Sequence, residues 1–181
     1  MKIGIYGGSF NPVHFGHLGL VKWVIDHTDL DEIWMLVSPN NPLKDSHILA
    51  DEQERLSALR AALSELNDNR IKASDFEFSL PRPSYTAATL HKLRETYSEH
   101  EFVLIIGEDN WDIFDQWKDY EEILRLHDIY IYPRHPLSAQ QINPSLHHLA
   151  QRFNSSLPKA VFLNDAPYFD ISSTEIREKR K

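Results

Sequence analysis

Short apolar runs alternate with segments of helical periodicity along most of the chain. Runs of four to six residues rich in Ile, Val, Leu, Tyr and Phe are typical of buried strands. Such runs predict strands at residues 3–6, 32–37, 102–106, 129–132 and 160–163, and a weaker run predicts another at 71–78. Glycine interrupts regular structure, so we expect Gly7 and Gly8 to end the first strand in a turn.

Helices are predicted between these strands. Apolar residues at helical spacing predict a helix at about 16–27. A second begins at Asp51, because Asp51 and Glu54 match a capping box. Leucines at 56, 59, 63 and 66 then line one face of it. Further helices are expected at 84–97, 120–126 and 146–153, and a last one begins at Ser172.

Strands that alternate with helices are typical of an α/β protein. The order predicts a Rossmann-like three-layer sandwich, in which a mostly parallel central sheet carries helices on both faces. Ligands of such sheets bind beyond the carboxyl ends of the strands. The chain of 181 residues has no internal repeat, low-complexity tract or linker, so we expect a single domain over residues 1–181.

Composition narrows the classes of function. The absence of cysteine excludes disulfides, a thiol nucleophile and a thiolate zinc site. A net charge of −8 disfavours a nucleic-acid partner, whereas a small anionic ligand needs only a few basic side chains that converge locally. No segment resembles a signal peptide or a membrane span, so we expect a cytoplasmic protein without a membrane partner. Homo-oligomer formation stays open.

The segment after the first strand has the residue types of a phosphate site. Gly7 and Gly8 let a ligand approach the backbone, and the free N–H groups at a helix start attract anions. His14 and His17 are three residues apart, so both imidazoles reach one face of a helix and Gly16 adds no bulk between them. The structural alternative is a glycine turn with two capping or surface histidines.

The last predicted helix begins with a second concentration of polar groups. Ser172, Ser173 and Thr174 crowd its start, and Arg177 adds a fork of N–H donors suited to phosphate. An ordinary well-capped helix is the structural alternative.

Together these segments resemble the motifs of a known superfamily. His14 to His17 match the His-x-Gly-His motif of nucleotidyltransferases, and Ile171 to Arg177 are similar to the Ile-Ser-x-Thr-x-Ile-Arg signature of its adenylyltransferases. Neither a P-loop nor a dinucleotide fingerprint occurs. Between the two motifs at the chain ends, three further segments and Trp117 resemble bacterial nicotinate mononucleotide adenylyltransferases in particular. These segments are residues 40–44, 84–87 and 106–109, so the resemblance covers nearly the whole chain.

The chain departs from the family pattern in two respects, of which the first is small in chemical terms and the second is larger. Ser9 and Asn11 stand where Thr and Asp are more usual, and both keep a polar side chain of similar size. Only four residues follow Arg177, whereas family members usually continue through a further helical segment.

The resemblance implies three groups of site residues. The contacts that catalyse transfer would be His14, His17, Lys44 and Arg177. ATP would bind at Gly7, Gly8, Ser9, Phe10, Gly16, Gly107, Asp109, Ile171, Ser172, Ser173 and Thr174. The pyridine nucleotide would bind at Tyr85, Thr86, Trp117 and Arg134.

Several of these positions also have a structural explanation. Lys44 could be a solvated loop lysine, Trp117 a core residue, and Ser84 or Thr86 a helix cap. Arg134, which follows the next predicted strand, is a weaker candidate for a contact with phosphate. No protein metal site is expected, since His147 and His148 lack carboxylate partners.

The implied reaction is attack of the phosphate of nicotinate mononucleotide on the α-phosphorus of ATP, which yields nicotinate adenine dinucleotide and pyrophosphate. An ionised phosphate needs no general base, so alignment and charge neutralisation suffice, with Mg²⁺ delivered by ATP. The alternatives are an adenylyltransferase that acts on pantetheine phosphate and a catalytically silent nucleotide-binding module. Backbone geometry decides between nicotinate and nicotinamide substrates.

Overall fold

The centre of the protein is a parallel sheet, seen in a computed structural model that describes residues 1–39, 50–134, 160–169, 171 and 173–178. Six strands pair in the order β3-β2-β1-β4-β5-β6, and every pairing is parallel. The strands are β1 Lys2–Gly8, β2 Glu32–Val37, β3 Ile71–Ser74, β4 Glu101–Gly107, β5 Ile129–Tyr132 and β6 Ala160–Phe162.

Helices follow the strands along the chain. They are α1 Phe15–His27, α2 Glu52–Leu66, α3 Thr86–Thr96, α4 Glu108–Trp111, α5 Tyr120–Leu126 and α6 Ser173–Glu178. Short 3₁₀ turns lie at Phe76–Ser79 and Phe114–Gln116. None of the helices in these described ranges combines the length and apolar character that a bilayer crossing needs.

The sheet separates two hydrophobic clusters, because successive side chains of a strand point to opposite faces. Tyr6 of β1 belongs to the cluster that includes α1 and α2, whereas Ile3 and Ile5 belong to the cluster that includes α3 and α5. The predicted three-layer sandwich, with helices on both faces of a parallel sheet, is confirmed.

The strand order creates a crevice between β1 and β4. From these two neighbours the chain proceeds outward in opposite directions, through β2 to β3 on one side and through β5 to β6 on the other. The elements that follow them, α1 and α4, contribute to opposite hydrophobic clusters. Their loops therefore diverge above the sheet, where open α/β sheets bind ligands.

Two strand boundaries differ from the prediction. The expected break at the glycines is wrong, because β1 continues through Gly7 and Gly8, which pair with β2. The left-handed residue of the turn is Phe10, with φ 45°. The predicted strand at 71–78 is too long, since β3 ends at Ser74, whose hydroxyl accepts the N–H of Phe76 at the start of a 3₁₀ turn.

Helix starts also add detail to the prediction. The side chain of Asp51 accepts the N–H of Gln53, so Asp51 caps α2 as expected. Neither Ser84 nor Thr86 caps α3, because Tyr85 occupies the N-cap position and the Ser84 hydroxyl donates to Glu77 instead. The helix predicted at 146–153, with His147 and His148, lies outside the described residues.

Candidate functional site

The paired histidines lie at the start of α1, directly after the loop that leaves β1. His14 is the N-cap residue, and its N–H donates to Nδ1 of His17 at 3.2 Å. Their ring centroids are 3.7 Å apart, with planes inclined by 31°. The two imidazoles therefore present one continuous surface, as their spacing predicts.

His14 is neutral at neutral pH in this environment. Burial, and secondarily the positive charge of Arg134, lower the pKa of its imidazole to about 4. An approaching anion would reverse part of this shift, because a negative charge favours the protonated imidazole.

A small cleft, partly open to solvent, lies beside the two histidines. Its walls come from the start of α1, from the end of β5 and from the segment before α6. The lining side chains include His14, His17, Leu20, Arg134, Tyr168 and Ile171, and Tyr6 and Tyr132 also line it.

Glycine permits close packing at two points of this region. A Cβ atom on Gly16 would lie 2.8 Å from Cγ2 of Ile171 and 3.0 Å from Nδ1 of His14. A Cβ atom on Gly107 would clash with the carboxylate of Asp109 and lie 2.8 Å from Nε of Arg134. By contrast, Gly7 is exposed, with open space where its side chain would be.

Arg134 lies in the cleft near the paired histidines. Its Nε atom donates to Oδ1 of Asp109 at 3.2 Å, and its guanidinium lies 5.1 Å from the ring centroid of Tyr132. The sequence grouped Arg134 with the pyridine-nucleotide residues. The structure places it beside His14, so its position favours the phosphate contact over a contact with the pyridine ring.

The two motifs from opposite ends of the chain meet at this cleft. The hydroxyl of Ser173 donates to the carbonyl oxygen of Pro12 at 2.9 Å. The guanidinium of Arg177 donates to the carbonyl oxygen of Asn11, and at 3.0 Å to the hydroxyl of Thr174. The α6 segment is thus fastened to the loop that precedes His14.

The residues predicted to bind a pyridine nucleotide form a separate group. The ring of Tyr85, at the start of α3, lies 4.7 Å from Nζ of Lys118. The neighbouring Trp117 packs its half-buried ring against Phe114, with centroids 5.1 Å apart, and joins the cluster on the α3 and α5 face. Its indole N–H is buried and has no hydrogen-bond partner among the residues that the structure describes. Core packing therefore accounts for the burial of the Trp117 ring, but it does not account for the buried indole N–H.

Arg55 is a residue of this region that sequence reasoning missed. It is 3% exposed, and its guanidinium donates to the carbonyl oxygens of Ser9 at 2.7 Å, Ser38 at 2.9 Å and Ala50 at 3.0 Å. These bonds join the β1–α1 loop to the segment after β2. A signal existed, since Arg55 precedes Leu59 by four residues and so lies on the apolar face of α2.

Glu77 was missed as well. It is buried and accepts hydrogen bonds from the hydroxyls of Ser84 at 3.1 Å and Thr89 at 2.9 Å, which fixes the segment that leads into α3. Its position between Phe76 and Phe78 gave no sign of burial. Lys44 and Ser172, both predicted site residues, lie outside the described residues.

The chain is similar to a known family and to several known proteins. The model of the cytidylyltransferase-like family matches residues 5–179. A probable nicotinate-nucleotide adenylyltransferase of Flavobacterium johnsoniae is 46% identical over 181 residues, which cover 100% of this chain and 87% of the relative. A protein of the same description from Bacteroides thetaiotaomicron is 45% identical over 98% of this chain and 81% of its own length.

Solved structures share the fold at lower identity. The nicotinic acid mononucleotide adenylyltransferase of Plasmodium falciparum, complexed with NaAD, has a TM-score of 0.73 at 22% identity, over 98% of this chain and 82% of its own. A putative nicotinate-nucleotide adenylyltransferase of Vibrio parahaemolyticus has a TM-score of 0.65 at 22% identity, over 98% and 84% of the two chains.

Proposed function

Since the chain belongs to the cytidylyltransferase-like family, and within it to the nicotinate-nucleotide adenylyltransferases, we propose that it transfers the adenylyl group of ATP to nicotinate mononucleotide. The products are nicotinate adenine dinucleotide and pyrophosphate, a step of NAD biosynthesis. The observation that carries this proposal is the meeting of the two end motifs, through Ser173 and Arg177, beside the paired histidines. Residues 1–181 would act as one nucleotidyltransferase domain.

The reaction is a displacement at the α-phosphorus of ATP. A phosphate oxygen of nicotinate mononucleotide forms the new P–O bond, and the bond to the β-phosphate bridging oxygen breaks, with its electron pair leaving on pyrophosphate. The attacking oxygen is already ionised, so no side chain has to remove a proton. Alignment of the two phosphates and stabilisation of the leaving charge then account for catalysis.

His14, His17, Lys44 and Arg177 supply that stabilisation in this proposal. The first two present their imidazoles together at the cleft, and Arg177 reaches the same loop from α6. ATP would lie along Gly7 to Phe10, Gly16, Gly107 and Asp109 and against the start of α6. The open surface at Gly7 supports this path.

The acceptor nucleotide would occupy the group around Tyr85, Thr86 and Trp117. The flat ring of Trp117 suits stacking on a pyridine ring. Backbone N–H groups in the first turn of α3 suit the nicotinate carboxylate, because a helix start attracts anions. This charge preference favours nicotinate mononucleotide over its amide.

Mg²⁺ would arrive with ATP, since this ion prefers phosphate oxygens and water as ligands. Among the described residues no group of three or more His, Cys, Asp or Glu side chains is placed to hold a metal ion. The ion would neutralise charge on the phosphates, while the side chains named above orient them.

A pyrophosphate-release assay with Mg²⁺ and ATP tests the proposal across three acceptors. We expect nicotinate mononucleotide to react at least about tenfold faster than nicotinamide mononucleotide, because a site built for one polar group discriminates against its replacement. Pantetheine phosphate should give no release above background. Equal rates with all three, or no release with any, would contradict the proposal.

A further inference from the structure

Two buried tyrosine hydroxyls lie at the floor of the cleft. Tyr6 of β1 and Tyr132 of β5 are each 5% exposed, and both line the cleft with His14 and His17. Because β4 lies between their strands, the two side chains reach towards each other across it. Their hydroxyl oxygens are 3.2 Å apart, within hydrogen-bond distance.

The pair has one proton more than its own hydrogen bond uses. Each phenolic hydroxyl carries a single proton, and the bond between Tyr6 and Tyr132 consumes one of the two. Arg134 also interacts with the Tyr132 hydroxyl, but a guanidinium can only donate and therefore takes up neither hydroxyl proton. A polar proton left unpaired in a buried position is costly, whereas two phenylalanines would pack in the same space without that cost.

Arg134 decides which tyrosine keeps the spare proton. Its guanidinium lies over the ring of Tyr132, 5.1 Å from the centroid. A positive charge beside Tyr132 favours its oxygen as an acceptor, so Tyr6 donates and Tyr132 retains a free O–H. Burial raises the pKa of both phenols, so both stay protonated near neutral pH.

The groups around this hydroxyl indicate an anionic partner. Arg134, His14 and His17 line the same cleft, and N–H and O–H donors that converge on one space suit phosphoryl oxygens. We propose that the Tyr132 hydroxyl donates a hydrogen bond to a phosphoryl oxygen of the nucleotide in this cleft, and that Tyr6 orients that hydroxyl. The inference rests on the proposed function only in requiring a nucleotide at this site.

Substitution of Tyr132 and of Tyr6 by phenylalanine tests this proposal, because each change removes a hydroxyl group and keeps the ring. The dissociation constants of MgATP and of nicotinate mononucleotide are measured separately by calorimetry, so that no turnover occurs. We expect Tyr132→Phe to raise one of the two dissociation constants about tenfold, as for a lost hydrogen bond to a charged group. Tyr6→Phe leaves the Tyr132 donor in place and should raise the same dissociation constant no more than about threefold. The nucleotide that loses affinity identifies the phosphate involved.

Tyr130→Phe is the matched control. Tyr130 belongs to the same strand, but its hydroxyl bonds to Asp29, which precedes β2 at the opposite end of the sheet. This variant should lower the melting temperature and leave both dissociation constants unchanged. The double variant Y6F/Y132F separates binding from folding, because it leaves no unpaired hydroxyl and yet should still bind about tenfold more weakly.

The outcomes are distinct. Unchanged affinity for both nucleotides in Tyr132→Phe, or recovery of wild-type affinity in the double variant, would overturn the inference. A larger loss in Tyr6→Phe than in Tyr132→Phe would overturn the assignment of the donor. Turnover of the wild-type protein is measured in a separate assay. A protein that binds MgATP but transfers no adenylyl group would contradict the proposed function, while the affinity measurements would still test the role of the Tyr132 hydroxyl.

Discussion

His14 lies half-buried at the start of α1, and its surroundings decide its charge. Burial and the charge of Arg134 lower its pKa to about 4, so the folded protein holds it neutral where the unfolded chain would begin to protonate it. The unfolded state therefore binds more protons between about pH 4 and 6.5, and stability contributed by His14 is lost as the pH falls through this window.

Nucleotide binding should change that protonation. Phosphate beside the imidazole raises its pKa, so we expect MgATP binding at about pH 6 to be accompanied by proton uptake. Calorimetry in two buffers of different ionisation enthalpy measures the protons taken up. His14→Asn should lose most of this uptake, since Asn keeps a polar side chain but cannot titrate. Equal uptake by both proteins would assign the proton to another group.

At the level of secondary structure, α2 does more than cover one face of the sheet. Its first turn carries the buried Arg55, which donates to the carbonyl oxygens of Ser9, Ser38 and Ala50. The bonds hold the β1–α1 loop against the segment after β2. The position of the histidine-bearing loop thus depends on a side chain from a neighbouring helix.

Removal of this guanidinium should be costly. Arg55→Met leaves several buried carbonyl oxygens unpaired, and we expect the free energy of unfolding to fall by about 3 kcal/mol. Arg60→Met is the control on the same helix, because Arg60 is exposed and its contact with Asp75 at 3.4 Å lies at the surface. It should change stability by no more than about 0.5 kcal/mol. Urea denaturation measures both, and equal losses would argue against the role of Arg55.

For the molecule as a whole, the contact between the chain ends is the main long-range feature of the site. Ser173 and Arg177 of α6 donate to the carbonyl oxygens of Pro12 and Asn11, more than a hundred residues earlier. Mobility of the β1–α1 loop is therefore coupled to the docking of α6.

Amide hydrogen exchange can measure this coupling. Ser173→Ala removes one bond between the chain ends, so exchange at residues 13–17 should accelerate by about fivefold, as for the loss of about 1 kcal/mol. Ser79→Ala is the control, since its hydroxyl donates within its own turn, to the carbonyl oxygen of Phe76 at 3.1 Å. It should leave residues 13–17 unchanged. Unaltered exchange in Ser173→Ala would show that other contacts hold the loop.

Local pattern predicted much of this protein. Apolar runs and capping residues located the strands and most of the helices, because each depends on neighbours within a few residues of chain. The errors lie at strand ends, where local hydrogen bonds that periodicity does not describe decide whether the strand continues or stops. Gly7 and Gly8 were read as a turn but pair with β2, and β3 stops where the Ser74 hydroxyl starts a 3₁₀ turn.

The sequence by itself determined the α/β class, the two motifs at the chain ends and the resemblance that joins them. Only the tertiary structure decided the strand order, the meeting of α6 with the β1–α1 loop, the low pKa of His14 and the buried roles of Arg55 and of the Tyr6–Tyr132 pair. The reason is physical. Helix and strand formation follow from short-range periodicity, whereas burial and charge depend on which distant segments pack together.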